Sequence, residues 1–236
     1  MKSLNNLIKK KKVGLIIFAR MSSKRLPGKV LKKIYNNNNT CQIIINNLKK
    51  EKLENQIIVA TSNSQSDKKI VKLCKINKIK FFLGSNKNVF ERTIKCIEKH
   101  NLEYIVRICA DRPFFDVSLM KKMIKLIFKN KFDIITNSKP RTYPKGFTCE
   151  VAKTKIFRNI NVKKLFKDEK EHIFNFFYKN NKYKIFNLKS NFTKKFINKN
   201  FCIDNKSDLI KIRKIFIKFQ KLNKEININN IYKYAK

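Results

Sequence analysis

Short apolar runs bounded by polar segments alternate along this chain with stretches whose apolar residues recur at helical spacing. A run too short for a helix, yet apolar throughout, is buried on both sides, as in the inner strands of a parallel sheet. The intervening stretches are long enough to be the crossovers such a sheet needs. The pattern predicts an α/β fold of three layers, αβα, with a mostly parallel sheet and crossover helices. Strands are expected at residues 13–19, 56–61, 79–83, 104–109, 132–136, 183–188 and 201–203. Ser66 is placed to cap a helix whose Ile70, Val71, Leu73 and Cys74 face the sheet. Asp116 is placed to cap another, carrying Leu119, Met120, Met123, Ile124 and Ile127. Ser207 opens a last helix that runs through about Gln220. The chain has 236 residues, 42% of them apolar, enough for one sizeable core. Residues 13–236 therefore read as a single domain, residues 1–12 as a basic tail and residues 36–39 as a polar loop tip.

A formal charge of +41 would ordinarily point to a polyanionic partner. Here lysine is spread from Lys2 to Lys236 without a dense stripe or interleaved aromatic residues, and asparagine and isoleucine are inflated beside it. That combination fits an A+T-rich coding bias and a solvated lysine surface, which argues against nucleic acid as the partner. A non-catalytic nucleic-acid-binding protein stands as the rival of a different class. The cysteines Cys41, Cys74, Cys96, Cys109, Cys149 and Cys202 show no paired spacing and read as reduced thiols. With His100 and His172 the only histidines, a zinc cluster is disfavoured, while a hard cation held by carboxylates stays open. Lys9, Lys10, Lys11 and Lys12 before the apolar run 13–19 imitate a secretory signal, but the run is short and no small-residue cleavage site follows. No segment is long enough to span a bilayer. The expectation is a cytoplasmic protein with no membrane partner.

In so skewed a composition, sparingly used residues carry the information. Three of the four glycines, Gly28, Gly84 and Gly146, sit in polar segments near strand ends. Six of eight arginines, Arg20, Arg25, Arg92, Arg107, Arg112 and Arg141, lie near the same segments. A guanidinium fork suits bidentate recognition of phosphate or carboxylate, where lysine is only a point charge. The first strand delivers the chain into a loop holding Arg20, Ser22, Ser23, Lys24, Arg25 and Lys29, with Pro27 limiting backbone freedom and Gly28 permitting close approach. This is a polyanion cradle at the carboxyl end of a strand, where open parallel sheets gather ligands. It is neither a P-loop nor a dinucleotide fingerprint, because both glycine patterns are absent. Asp111 and Asp204 each follow an apolar run, so both carboxylates can project at the same edge and share a Mg²⁺ ion with phosphate oxygens and water.

The string Ala19-Arg20-Met21-Ser22-Ser23-Lys24-Arg25-Leu26-Pro27-Gly28-Lys29 resembles the opening motif of the bacterial cytidylyltransferases that activate 3-deoxy-manno-octulosonate and acylneuraminates. The similarity is greatest to the branch like the spore-coat polysaccharide cytidylyltransferases. Further matches are Val59-Ala60-Thr61-Ser62, Gly84-Ser85 with Val89 and Arg92, and Val106-Arg107-Ile108-Cys109-Ala110-Asp111-Arg112-Pro113. They continue with Arg141-Thr142-Tyr143-Pro144, Gly146, Glu150-Val151, Glu171-His172, Ile203-Asp204 and Asp208-Leu209.

The resemblance implies a Rossmann-like nucleotide-diphospho-sugar transferase fold. It also implies Mg²⁺-dependent transfer of CMP from CTP to an acidic sugar, a ulosonic or nonulosonic acid, for surface polysaccharide or glycan synthesis. By the same resemblance Arg20, Ser22, Ser23, Arg25 and Lys29 would hold the triphosphate. Asp111 and Asp204 would hold the metal, and Thr61, Gly84, Ser85 and Arg92 would line the nucleotide pocket. Arg141, Tyr143, Glu150 and His172 would meet the sugar, and Arg20, Lys29 and Asp111 would carry the chemistry. A homodimer is in keeping with the family, and another donor base such as that of UTP stays open. Ala110 stands where the family has glycine, which would crowd the nucleotide, and Thr148 replaces an aspartate, which bears on the choice of sugar.

Overall fold

Leu15 and Ile17 point to one side of strand β1 (Val13–Phe18) and Ile16 to the other, and all three are fully buried, so the strand lies within a sheet covered on both faces. The computed structural model describes residues 3–234. After β1 come β2 (Lys33–Tyr35), β3 (Asn38–Asn39), β4 (Ile57–Ser62), β5 (Lys80–Gly84), β6 (Tyr104–Cys109), β7 (Ile134–Thr136), β8 (Glu150–Lys153) and β9 (Ile185–Asn187). The main sheet has seven strands in the order β5-β4-β1-β6-β8-β7-β9. β5, β4, β1 and β6 run parallel, and β8 is antiparallel to both of its neighbours.

Period-two alternation sorts side chains into two cores. Leu15, Ile17, Ile57, Val59, Val106 and Ile108 face one layer, made by helices Thr40–Lys50, Lys68–Ile76, Val117–Lys129 and Lys206–Lys221. Ile16, Ile58, Ala60 and Ile105 face the other, made by helix Val89–Lys99 and the segment carrying Leu165, Ile173, Phe174 and Phe177. Each fully buried isoleucine contributes about 1.5–3 kcal/mol by leaving water, so the alternation fixes the register of every inner strand. The mostly parallel three-layer fold and its crossover helices are as the sequence predicts.

Several expectations are corrected. Residues 4–10, read as part of a basic tail, form a helix capped by Ser3 and anchored by the fully buried Ile8. Residues 36–39 close a hairpin: Asn36 and Asn37 both have positive φ, the two-residue turn that matches strand twist, and Asn38 pairs with Tyr35. Residues 201–203, expected as a strand, lie outside the ladder and bend at Cys202. Strand β8 escapes the pattern because only Val151 and Ala152 separate Glu150 from Lys153. Asp116 caps its helix as expected, accepting from Leu119 N. Ser66 caps nothing, since residues 65–67 form a 3₁₀ turn, whereas the long helix opens within one residue of Ser207, as expected, with Asn205 as its cap. A further helix, Ile228–Tyr234, follows it. Among the described residues, no helix is long and apolar enough to cross a membrane.

β1, β4, β5 and β6 end at one edge of the sheet, and antiparallel β8 begins there. That edge therefore collects the loops after four strands together with Glu150. Gly146 shows how tightly it is built: its φ is +111°, and a Cβ there would lie 2.8 Å from the Phe201 backbone carbon. Gly146→Ala is expected to cost about 2 kcal/mol or more, read as a drop in thermal midpoint, because it combines backbone strain with a clash that flexible atoms cannot relieve.

Candidate active site

The loop after β1 is shaped by main-chain bonds before any ligand is considered. Ser23 N and Gly28 N both donate to Met21 O at 2.9 Å, and Gly28, at φ +67°, turns the chain into the 3₁₀ turn Lys29–Leu31. The loop is pinned to the body by Asp67, a fully buried carboxylate. Asp67 accepts from Met21 N at 2.7 Å, Ser62 N at 3.0 Å, Ser62 Oγ at 2.6 Å and Thr61 Oγ1 at 2.9 Å. Burial acts to raise its pKa, but the hydrogen bonds from Ser62, Met21 and Thr61 outweigh burial and lower it.

At one end of the loop Lys29 Nζ lies 2.6 Å from Asp111 Oδ2 and 3.1 Å from Asp204 Oδ1. Asp204 Oδ1 also receives Arg25 at 2.9 Å, and its Oδ2 receives Lys145 at 2.6 Å. The two aspartates come together because Ile203 N donates to Asp111 O at 3.0 Å, laying residues 201–203 beside the end of β6. Asp204 N donates to Asp208 Oδ2 at 3.0 Å, which fixes the residue just ahead of the last long helix. Partial burial works against the ionised Asp204, but Lys145 and Lys29 prevail and hold its pKa at about 2. The same aspartates raise Lys29 against the opposing effect of burial.

The folded value for Asp204 lies below its ordinary 3.8, so the unfolded chain takes up the proton first as pH falls. The ion-pair stability is fully present above about pH 4 and is lost as pH falls toward about 2. Acid denaturation followed by circular dichroism is expected to show a shallower low-pH limb in Asp204→Asn than in the wild type.

At the other end of the loop, the Arg20 fork pairs with both oxygens of Glu171. Arg92 is 2% exposed, donates through Nη1 to Ser85 O at 2.9 Å, and leaves its buried Nε without a partner among the described residues. Burial, then the Arg20 charge, push its pKa down to about 10. Gly84 makes room for it, since a Cβ there would meet Arg92 Cγ at 2.7 Å. Ser22 reaches Asn86 at 3.4 Å, and Ser85 Oγ accepts from Asn88 N. Arg107 Nη1 lies 3.3 Å from both oxygens of Glu150, its partner across the β6–β8 ladder. His172 is exposed; partial desolvation of its ring and then the Arg107 charge lower its pKa, with Glu171 and Asp168 opposing.

The structure thus brings Arg20, Ser22, Ser23, Arg25, Lys29, Asp111 and Asp204 onto one loop and the two acids it meets. Gly84 and Ser85 lie at the end of strand β5, and Arg92 reaches Ser85 O from the helix Val89–Lys99 that follows. Two assignments change. The Thr61 side chain is fully buried and its hydroxyl serves Asp67, so it supports the loop rather than facing a nucleotide. The Tyr143 ring is packed in the core, edge-on to Phe192 at 5.7 Å, and supports the 141–149 segment rather than offering its face to a sugar. Arg141 is exposed beside it. Ala110 is 1% exposed and its methyl belongs to the core, so it does not crowd a ligand. Thr148 is buried, and its carbonyl accepts from Arg112.

Sequence reasoning missed Asp67 and Lys145, and it singled out Glu150 and Glu171 without pairing them with Arg107 and Arg20. With 16 acidic residues against 57 basic ones, acids at strand ends are as informative as glycines and arginines, and that signal would have found Asp67 after β4.

The sequence profile of the family described as cytidylyltransferase matches residues 15–235. An uncharacterized protein of Methanocaldococcus jannaschii is 34% identical over 73% of this chain and 70% of its own. The spore coat polysaccharide biosynthesis protein SpsF of Bacillus subtilis is 30% identical over 67% of this chain and 66% of its own. Among solved structures, a cytidylyltransferase from Leptospira borgpetersenii superposes with a TM-score of 0.78 at 24% identity, covering 92% of this chain and 98% of that one. A CMP:2-keto-3-deoxy-manno-octonic acid synthetase complexed with CTP gives 0.64 at 13% identity, over 88% and 99% of the two chains. The 4-diphosphocytidyl-2C-methyl-D-erythritol synthase of Anaerococcus prevotii gives 0.62 at 16%, over 90% and 99%.

Proposed function

The chain belongs to the cytidylyltransferase family and is a nucleotidyltransferase, and from that premise we propose that it transfers CMP from CTP to a hydroxyl of an acidic sugar, releasing pyrophosphate. The observation that carries this reading is the Lys29 ammonium, 2.6 Å from Asp111 and 3.1 Å from Asp204, at the end of a loop made for polyanions. One compact cation touches both carboxylates there, so the donor set suits Mg²⁺, which takes few protein carboxylates and fills its shell with phosphate oxygens and water. Among the described residues, no group of three or more His, Cys, Asp or Glu side chains gathers at this site or any other, so an ion here would draw the rest of its shell from phosphate and water.

In this reading Asp111 and Asp204 would hold the ion, and Lys29 and Arg25 turn onto the phosphates of the triphosphate. Bound there, Mg²⁺ supplies charge neutralisation and a lowered pKa for the attacking hydroxyl. The acceptor oxygen bonds to the α-phosphorus, the bond from that phosphorus to the bridging oxygen breaks, and pyrophosphate leaves toward Arg20, Arg25 and Lys29. The hydroxyl proton passes to solvent, so no side-chain base is needed. Positioning and preorganised charge supply the rate. An acidic acceptor is supported by Arg107, which meets Glu150 through Nη1 alone and leaves Nε and Nη2 without a partner among the described residues.

A pyrophosphate-release screen of CTP, UTP, ATP and GTP against ulosonic acids, nonulosonic acids and a polyol acceptor tests donor and acceptor together. Release with CTP and an acidic sugar is the expected result. Release with the polyol alone would overturn the acceptor assignment, and a preference for another triphosphate the donor assignment.

A further inference from the structure

We propose that Arg107 recognises the carboxylate of the acceptor through its Nε–Nη2 edge, and that Glu150, Ser138 and Tyr178 are positioning residues that aim it. The inference rests on the acceptor being an acid, as argued above, and assigns the group that reads the acid.

Arg107 spends only one corner of its fork within the protein. Nη1 lies 3.3 Å from each Glu150 oxygen, and no other carboxylate among the described residues pairs with it. Nε and Nη2, the edge that takes a carboxylate bidentately, have no partner among the described residues, and neither is a buried, unsatisfied atom. The side chain is 16% exposed while Glu150 is 4% exposed, so the acid lies beneath and the guanidinium above it.

Glu150 is itself held. Ser138 Oγ donates to Glu150 Oε1 at 2.9 Å, and Tyr178 OH is hydrogen-bonded to Ser138 Oγ at 3.1 Å and to Thr136 Oγ1 at 2.8 Å. Burial, then the Glu150 charge, push the Tyr178 phenol far up, so it stays a neutral hydrogen-bonding group. The β6–β8 register places Arg107 directly opposite Glu150, and β7 supplies Thr136 from the next strand. A satisfied buried network of this kind fixes the guanidinium plane, and a fixed plane makes bidentate recognition selective. Arg107 lies four residues before Asp111 on the strand leading to the metal-binding edge, and its charge is felt at His172 together with that of Arg20.

The test compares each acidic sugar with its methyl ester or primary amide in wild type, Arg107→Gln, the paired Arg107→Gln/Glu150→Gln and Tyr178→Phe. The paired variant removes the charge without stranding Glu150. Wild type is expected to prefer the acid by about 10²-fold in kcat/KM, the scale of a lost charge-assisted bidentate contact. The paired variant should bring that preference below about 10-fold with the KM for CTP unchanged. Tyr178→Phe should raise the acceptor KM several-fold and leave kcat at saturating acceptor intact. An acid preference that survives the paired substitution overturns the assignment of Arg107 while leaving CMP transfer standing. Failure of every acidic sugar with the wild-type protein would instead overturn the acceptor reading, and this inference with it.

Discussion

Asp111→Asn is expected to cut CTP-dependent pyrophosphate release by about 10³-fold or more, the loss that follows removal of a central charge from a preorganised site. The same variant should melt within a few degrees of the wild type. The substitution keeps the volume and the backbone acceptor that Ile203 N uses at 3.0 Å, and it leaves the amide oxygen for Lys29. What it removes is one of the two negative charges on which a divalent cation would rest. Steady-state rates beside thermal melts decide the matter, and full turnover in a folded variant would strike Asp111 from the metal site.

Lys29→Ala follows from the same geometry and acts in two directions. With CTP saturating, it is expected to cost about 2–4 kcal/mol of transition-state stabilisation, because a preorganised cation no longer meets the leaving phosphates. Without nucleotide, it is expected to strengthen binding of Mn²⁺, used as a probe for the divalent site, because the ammonium 2.6 Å from Asp111 and 3.1 Å from Asp204 no longer competes for their oxygens. Arg25 and Lys145 stay on Asp204, so that carboxylate keeps counter-ions and the fold is retained. Slower turnover with tighter nucleotide-free Mn²⁺ binding separates this role from simple loss of structure. An unchanged rate at saturating CTP removes Lys29 from the leaving-group role.

The parts of the molecule that could be read in advance are those where local chemistry and fold agree. β1 is a continuous apolar run because both of its faces are buried, and β4 and β6 are apolar except for Thr61, Ser62 and Arg107 toward their carboxyl ends, so their existence is legible in the local pattern. The loop after β1 stood out because arginine, proline and glycine are scarce in this chain, and scarcity signals a specific demand on backbone or charge. Sequence was weaker wherever a residue's role depends on which way it faces after folding. Thr61 ends a strand at the right edge but turns its hydroxyl inward to Asp67, and Tyr143 lies in the right segment with its ring in the core. Asp67 sits beside the expected cap Ser66, yet every bond its carboxylate accepts comes from residues before it in the chain, Met21, Thr61 and Ser62. Strand β8 carries two apolar residues and owes its place to antiparallel pairing with β6 and β7, which no local pattern encodes. The helix at residues 4–10 depends on one buried side chain, Ile8, in a run otherwise rich in lysine and asparagine.

The most direct measurement is ³¹P NMR of the complete reaction, with CTP, Mg²⁺ and the acidic sugar that performs best in the release screen. The expected spectrum shows the CTP resonances replaced in equal amounts by pyrophosphate and a new phosphodiester, with no change when either the sugar or the metal is omitted. Conversion of CTP to CMP or CDP without a phosphodiester, or consumption of CTP independent of the sugar, would contradict the transfer of CMP to an acidic acceptor.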